Sequence, residues 1–345
     1  MPMVVNAEDS CDHVILHPDG HHCACLCRGQ VFEMALWEGP AVPMKSVLSA
    51  PPAFPGGPPR AVRCVAMEYL CSGRLVTFTD EAAPSWVLTI HPLCILPDAP
   101  HAEKGKTWMS ALLDDCGAGA QSVKLPEVVG TIMQVAASPA HDALLVTTSR
   151  NELLLLEFVA EDGQRPDPQK GRDALMDQTL SVEVTHLDRS DYSEGIFDPV
   201  WGVDGEWIAY CRSDQRHGSS VLLMHLPTKA KHLVCDSSFR NCDPCFSPDG
   251  AYLTFVSTRH FAPSCDDVNE ELTFAMGAEL PYLVLLKKGA LNPFQRVPQS
   301  PADANEEEDG GEDGEDMGDD EDEDDDGTEP PPPQMEIDLE GIGER

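Results

Sequence analysis

Three cysteines at alternate positions, Cys23, Cys25 and Cys27, follow directly on His21 and His22. In an extended strand they share one face at spacings of about 6.6–7 Å, and thiolates with imidazoles are the soft ligands that Zn or Cu(I) takes. A structural zinc site, however, draws its cysteines from C-x2–4-C pairs in turns that wrap the ion. The favoured reading is that Cys serves here as a small apolar residue on a buried strand face. Cys242 and Cys245 form a C-x-x-C, but a redox pair needs a helix N-terminus to lower a thiol pKa, and Pro244 sits in a strand pattern. For nucleophilic catalysis there is no G-x-S-x-G elbow, and no glycine-rich loop with its Lys to cradle phosphates. His141, His217 and His260 fall in or beside turns, where solvated histidine is ordinary. The residues therefore assign no catalytic, cofactor-binding or metal site, and no cofactor.

The elements that hold these residues show themselves through a repeat. Residues 198–210, DPVWGVDGEWIAY, lie over residues 243–255, DPCFSPDGAYLTF, at an offset of forty-five. Each copy has a short apolar run, an Asp-Gly turn, a second alternating run and a later β-rich run. The Asp-Gly pair suits a tight turn whose second residue takes a positive φ. A period of about forty to fifty residues with four short strands is the signature of a propeller blade. Earlier units follow the same plan: His17-Pro18-Asp19-Gly20 opens one, and Ser72-Gly73 the next. In a third, 138–142 replaces the Asp-Gly turn and must close without its glycine. The fold class is all-β, a β-propeller of about five four-stranded blades at residues 12–60, 61–100, 120–160, 182–240 and 241–298. Trp201, Trp207, Phe246 and Phe255 are expected in or near the packing between blades, and 253–256 must be strand. Residues 39–59 read as an exposed loop, 108–113 as a short helix within a long connection, and 160–170 as polar and disordered. Long insertions at a blade edge are tolerated because closure entropy rises only logarithmically with length.

A hydrophobic content of 41% suffices for a core, and 345 residues for one large all-β domain. The formal charge of −37 is unevenly placed: eighteen acidic residues and no Lys or Arg lie between Asp303 and Glu329. That segment cannot fold by itself, so 301–334 reads as a disordered acidic and Pro-rich insertion. It is either a solvated loop between blades, the favoured reading, or an acidic element that holds basic proteins. The moderately acidic remainder argues against nucleic acid, whose phosphates need clustered Lys and Arg. No apolar run approaches a membrane span. Thirteen cysteines without compact spacing suggest a reducing compartment. No secretory or transit signal is visible at the start, and the expected location is the cytoplasm. Residues 335–345 alternate apolar and acidic side chains like the start of a further, truncated blade.

Residues 198–213 followed by 246–257 resemble the repeat of tricorn-type peptidases, and more loosely of TolB-like propellers. The discriminating part is 259–266, then Leu272-Thr273-Phe274, 281–286 and Asn292-Pro293-Phe294, which are similar to an extended blade of that family. The opening 17–32, with Arg28-Gly29-Gln30, and the closing 337–342 also resemble family segments. The resemblance implies a large cytoplasmic serine peptidase that trims oligopeptides. Such enzymes carry two propellers, then a PDZ-like domain between catalytic domains, and assemble as hexamers. Their seven-bladed propeller passes or filters peptides, and their catalytic Ser, His and acid lie C-terminal to the region matched here. The expectation is a non-catalytic part of a seven-bladed propeller, beginning and ending inside it, that gates or channels peptides. Its partners would be oligopeptide substrates through the parent enzyme and copies of itself, with Arg212, Arg259 and the surface of the central tunnel as candidates for binding and access. The alternative is a stand-alone propeller scaffold whose acidic segment binds basic partners.

Overall fold

Strands follow one another along the chain and pair with their sequence neighbours. The first sheet joins β1 (Cys11–Leu16), β2 (His22–Cys27), β3 (Gln30–Ala35) and β4 (Val42–Pro43) in that order. A small pair, β5 (Ser49–Ala50) and β6 (Arg60–Ala61), leads to the second sheet: β7 (Cys64–Tyr69), β8 (Leu75–Thr79), β9 (Val87–Ile90) and β10 (Gln121–Lys124). The third holds β11 (Ile132–Ala137), β12 (Ala143–Thr148), β13 (Glu152–Ala160) and β14 (Leu180–Arg189). The fourth holds β15 (Ile196–Trp201), β16 (Trp207–Ser213), β17 (Ser219–His225) and β18 (Ala230–Cys235). The fifth joins β19 (Asn241–Phe246) and β20 (Tyr252–Ser257) to β23 (Leu280–Leu285), with a hairpin of β21 (Pro263–Asp266) and β22 (Glu271–Phe274) between them. This computed structural model describes residues 11–18, 20–36, 41–44, 49–50, 60–80, 85–91, 120–126, 129–160, 180–214, 218–260, 263–266, 271–274, 279–294 and 335–344. Among them there is no α-helix.

Packing makes these sheets blades. The first strands of successive sheets touch, β1 with β7, β7 with β11, β11 with β15 and β15 with β19. Each hydrophobic core lies between two consecutive sheets, and the strand alternation divides β8, β12, β13, β16 and β17 between two cores. On β12, Leu144 and Val146 enter the core shared with the second sheet, while Ala143 and Leu145 enter the one shared with the fourth. On β16, Ile208 and Tyr210 face the third sheet, and Trp207, Ala209 and Cys211 face the fifth. These strands are therefore largely apolar on both faces, as expected of sheets covered on both sides. Trp201 fills the core between sheets three and four; Trp207, Phe246 and Phe255 fill the one between four and five, and all four are buried.

All five first strands slip register once, between Cys11/His13, Cys64/Ala66, Ile132/Gln134, Phe197/Val200 and Cys242/Cys245. A bulge leaves one residue unpaired and sharpens the local twist. In the last two blades the slip contains Asp198 and Asp243, both at φ 51°, each followed by a proline that has no N–H to donate. The Asp-Pro of the repeat is thus a bulge signal, distinct from the Asp-Gly turn that follows it. Those turns stack on their neighbours. A Cβ on Gly205 would lie 2.8 Å from Ala140 Cβ, and one on Gly250 2.9 Å from Met335 Cγ, and both glycines have positive φ. The third blade closes the equivalent turn without a left-handed residue, through Ser138 N donating to Ala143 O at 2.9 Å.

Three expectations change. Residues 121–124, placed by sequence with the third unit, form β10 and complete the second sheet, because they pair with 87–90. The loop reading of 39–59 holds two short strands, β4 and β5. The alternating tail 335–344 forms no strand. It lies against blades four and five, with Met335, Ile337, Leu339 and buried Ile342 packed into their shared core. Asp338 donates its N–H to Leu286 O at 2.8 Å and accepts from Lys288 N at 2.7 Å. Its alternation serves burial and not a ladder. The expected helix at 108–113 and the segments 161–170 and 301–334 lie outside the described residues.

Candidate functional site

The structure divides the Cys and His residues that sequence had grouped. On β2, His22, Ala24 and Leu26 turn toward the core between blades one and two, and the cysteines turn the other way. Cys23 is buried, while Cys25 and Cys27 are half-buried, and Cys11 stands opposite Cys27. Burial, reinforced by the neighbouring Cys23, pushes the Cys25 thiol up to about 12. Among the described residues no three of His, Cys, Asp and Glu are arranged to hold a metal ion. His22 Nε2 instead lies 3.1 Å from Glu33 Oε1, which also accepts from Tyr69 Oη at 2.7 Å. Burial acts to raise the Glu33 pKa, but the His22 and Tyr69 contacts outweigh it and hold the carboxyl below its usual range.

The other flagged residues are tied up locally. Cys242 and Cys245 flank the β19 bulge, and burial, with the Asp243 carboxylate beside it, pushes Cys242 up to about 11. His141 contacts Ser138 Oγ at 3.3 Å and meets the Trp201 ring edge-on at 5.5 Å. His260 is exposed, and His217 lies outside the described residues. Arg212 and Arg259, the candidates for peptide binding and access, have intramolecular partners. Arg212 Nη1 donates to Asp188 Oδ2 at 3.3 Å, alongside Tyr210 Oη at 2.7 Å, while Lys231 Nζ donates to Oδ1 at 2.5 Å. Burial acts to raise the Asp188 pKa, but Lys231 and Tyr210 hold it below the usual carboxylate range. The Arg259 guanidinium lies 4.6 Å from the Tyr282 ring centroid and 5.5 Å from that of Phe255, and donates to Cys235 Sγ. Each cation offsets its burial with its own partners.

An open site of mixed polar and apolar lining lies between blades three and four, at the ends of the strands away from the Asp-Gly turns. The β12–β13 turn, the 190–195 segment and the start of β11 surround a cavity of about 420 Å³. Two pairs of bonds fix its walls. Gln134 Nε2 donates to Asp198 Oδ1 at 2.9 Å while Asp198 N donates to Gln134 Oε1 at 2.8 Å, and Asp198 Oδ2 accepts from Asp243 N at 3.1 Å. The bulge aspartate thus links the inner strands of three blades. Asn151, left-handed at φ 62°, donates from Nδ2 to Tyr192 O at 2.8 Å and ties the two turns together. Ser149, Ser193 and Glu194 stand on the rim and Thr147 lines the depth, with Met133 and Ile196 as the apolar side, while Phe197 borders the cavity and packs against the core between blades four and five. Sequence reasoning missed this site. Its polar residues are Ser, Thr, Asn and Gln from three separate stretches, and no motif joins them.

With the fold and this site in view, comparisons with known proteins are informative. No family model matches the sequence. A Tricorn-like protease C-terminal subunit of Sulfurisphaera tokodaii is 25% identical over 296 residues, which is 85% of this chain and 27% of that protein. A Tricorn protease homolog of Saccharolobus solfataricus is 25% identical over 285 residues, 83% of this chain and 20% of the relative. The chain therefore spans about a quarter of the length of these relatives. Among solved structures, the crystal structure of the tricorn protease superposes with a TM-score of 0.55 at 16% identity, over 83% of this chain and 23% of that one. At that identity the superposition speaks for the fold, and the similarity in sequence comes from the two archaeal relatives. This chain is an all-β propeller portion, similar over more than four fifths of its length to part of the tricorn-type proteases.

Proposed function

We propose that this chain is the propeller portion of a tricorn-like cytoplasmic serine peptidase, and that it admits or channels oligopeptides toward catalytic residues carried elsewhere in the enzyme. The observation that carries this reading is similarity to tricorn-type relatives over 83–85% of the chain. Two buried polar clusters among the described residues are accounted for by packing. Tyr210, Arg212 and Lys231 converge on Asp188, and His22 and Tyr69 on Glu33. Neither group is a nucleophile with a base and oxyanion donors.

The test is incubation of the purified chain with a mixed oligopeptide pool, with and without a serine-directed covalent inhibitor. We expect no turnover from the chain alone, and turnover when it is joined to the C-terminal domains of a tricorn-type relative. Inhibitor-sensitive hydrolysis that disappears on mutating one of its own serines would overturn the proposal. A second reading, a scaffold for basic partners, rests on the eighteen acidic residues between Asp303 and Glu329. It requires salt-sensitive capture of a cationic peptide that is lost on deleting 303–329.

A further inference from the structure

We propose that the cavity between blades three and four binds the free amino terminus of an oligopeptide. This deepens the peptide-handling reading and rests on it for the choice of peptides as ligand. The argument starts with charge. Of the residues lining the cavity, Glu194 is the one that carries a formal charge, it is exposed, and no described residue pairs with it. A site with one carboxylate and no cation repels carboxylates and phosphates and attracts an ammonium group.

Hydrogen-bonding capacity gives the next constraint. Gln134 gives one Nε2 proton and an Oε1 lone pair to Asp198, and Asn151 gives one Nδ2 proton to Tyr192, so each amide keeps one N–H. Hydroxyls add to these: Ser149 Oγ accepts from Thr131 N at 3.0 Å and keeps its own proton to donate, and Ser193 stands beside Glu194. Thr147 is 1% exposed, and its Oγ1 has no hydrogen-bond partner. A buried hydroxyl left unpaired is costly and rare, and here Thr147 lines the cavity. Carboxylate and hydroxyl oxygens together suit the three donors of an ammonium group, and the hydroxyl protons suit the first peptide carbonyl. Met133, 64% exposed at the rim, and Ile196 give the first side chain an apolar wall. About 420 Å³ holds one to two residues and not a folded partner.

The substitutions that test this are mild. Glu194→Gln changes an exposed charge, and Thr147→Val is nearly isosteric and removes the unpaired hydroxyl, so the fold should tolerate both. The probes for calorimetric titration of the full chain are the amidated tetrapeptide Ala-Leu-Ala-Ala with a free amino terminus, the same peptide acetylated, and butylamine. Expected is binding of the free peptide, weakened about tenfold by acetylation and about fivefold by either substitution, with Thr147→Val melting no lower than wild type. Equal binding of free and acetylated peptide, insensitive to both substitutions, would overturn the site and leave the peptide-handling reading standing. Butylamine binding as tightly as the free peptide, with the same dependence on Glu194, would identify a general ammonium site and overturn the peptide assignment. No binding of any probe would overturn the proposal outright, while turnover by the fused enzyme would still support the peptidase reading.

Discussion

His91 gives the sharpest test of the packing between blades one and two. It is 1% exposed, its Nε2 lies 2.9 Å from Thr77 Oγ1, and its Nδ1 is buried without a partner. Burial pulls its pKa from 6.5 down to about 4, against the opposing pull of the Glu33 charge. Between those values the unfolded chain binds a proton that the folded chain refuses, so acidification favours unfolding and stability rises with pH. Linkage over that window makes the His91 contribution fall by about 2 kcal/mol between pH 7 and pH 5. Glu68 acts in the opposite direction, because burial raises its carboxyl from 4.5 to about 7 and it costs stability as pH rises through that range. Glu33, held below its usual value, contributes stability above about pH 4.5 that is lost only on further acidification. The wild-type profile is therefore a balance, and the informative quantity is a difference. Urea unfolding of wild type and His91→Gln should be measured at pH 7 and pH 5. The wild type should lose about 2 kcal/mol more than the variant on moving to pH 5. Parallel changes in the two proteins would refute the claim that His91 is buried neutral.

Other perturbations have equally definite outcomes. Asp188→Ala leaves Tyr210, Lys231 and Arg212 without their shared acceptor, and urea unfolding should show a loss of about 2–4 kcal/mol, with Asp188→Asn losing less. Gly250→Ala imposes a Cβ at φ +67° and 2.9 Å from Met335 Cγ; a loss of about 1–2 kcal/mol is expected, and a neutral result would place 335–344 elsewhere. Deleting 303–329 should leave the melting temperature and circular dichroism unchanged, since a run of like charges with few apolar residues cannot offset roughly 1–2 kcal/mol of backbone entropy per residue.

How legible each part was depended on how local its cause is. The Asp-Gly turns at 204–205 and 249–250 and the runs that follow them marked blades four and five, because turn geometry and strand alternation are written in adjacent residues. Strand β10, Gln-Ser-Val-Lys, has one strongly apolar residue and stands thirty residues from its partner β9, so its pairing is a tertiary fact that no local pattern carries. The cysteines of β2 were correctly seen to share a face. Which face His22 would take followed only once Ala24 and Leu26 were placed in the core. The cavity was invisible for the same reason: Glu194 comes beside the turn that carries Thr147 and Asn151 only when two blades pack.

The insertion of 335–344 between blades four and five also bears on how the molecule would respond to a protease. Residues 295–334 join two parts of the chain that are each held in place independently, one by β23 and the other by Met335, Ile337, Leu339 and Ile342. A single cut within the acidic stretch would sever the covalent link and leave those apolar contacts, the Leu286 bond and the Lys287–Glu336 pair intact. The nicked protein should travel as one species under native conditions and separate into two only in denaturant. The short C-terminal fragment would then be a ligand of the remaining propeller, exchangeable with a synthetic peptide of its own sequence.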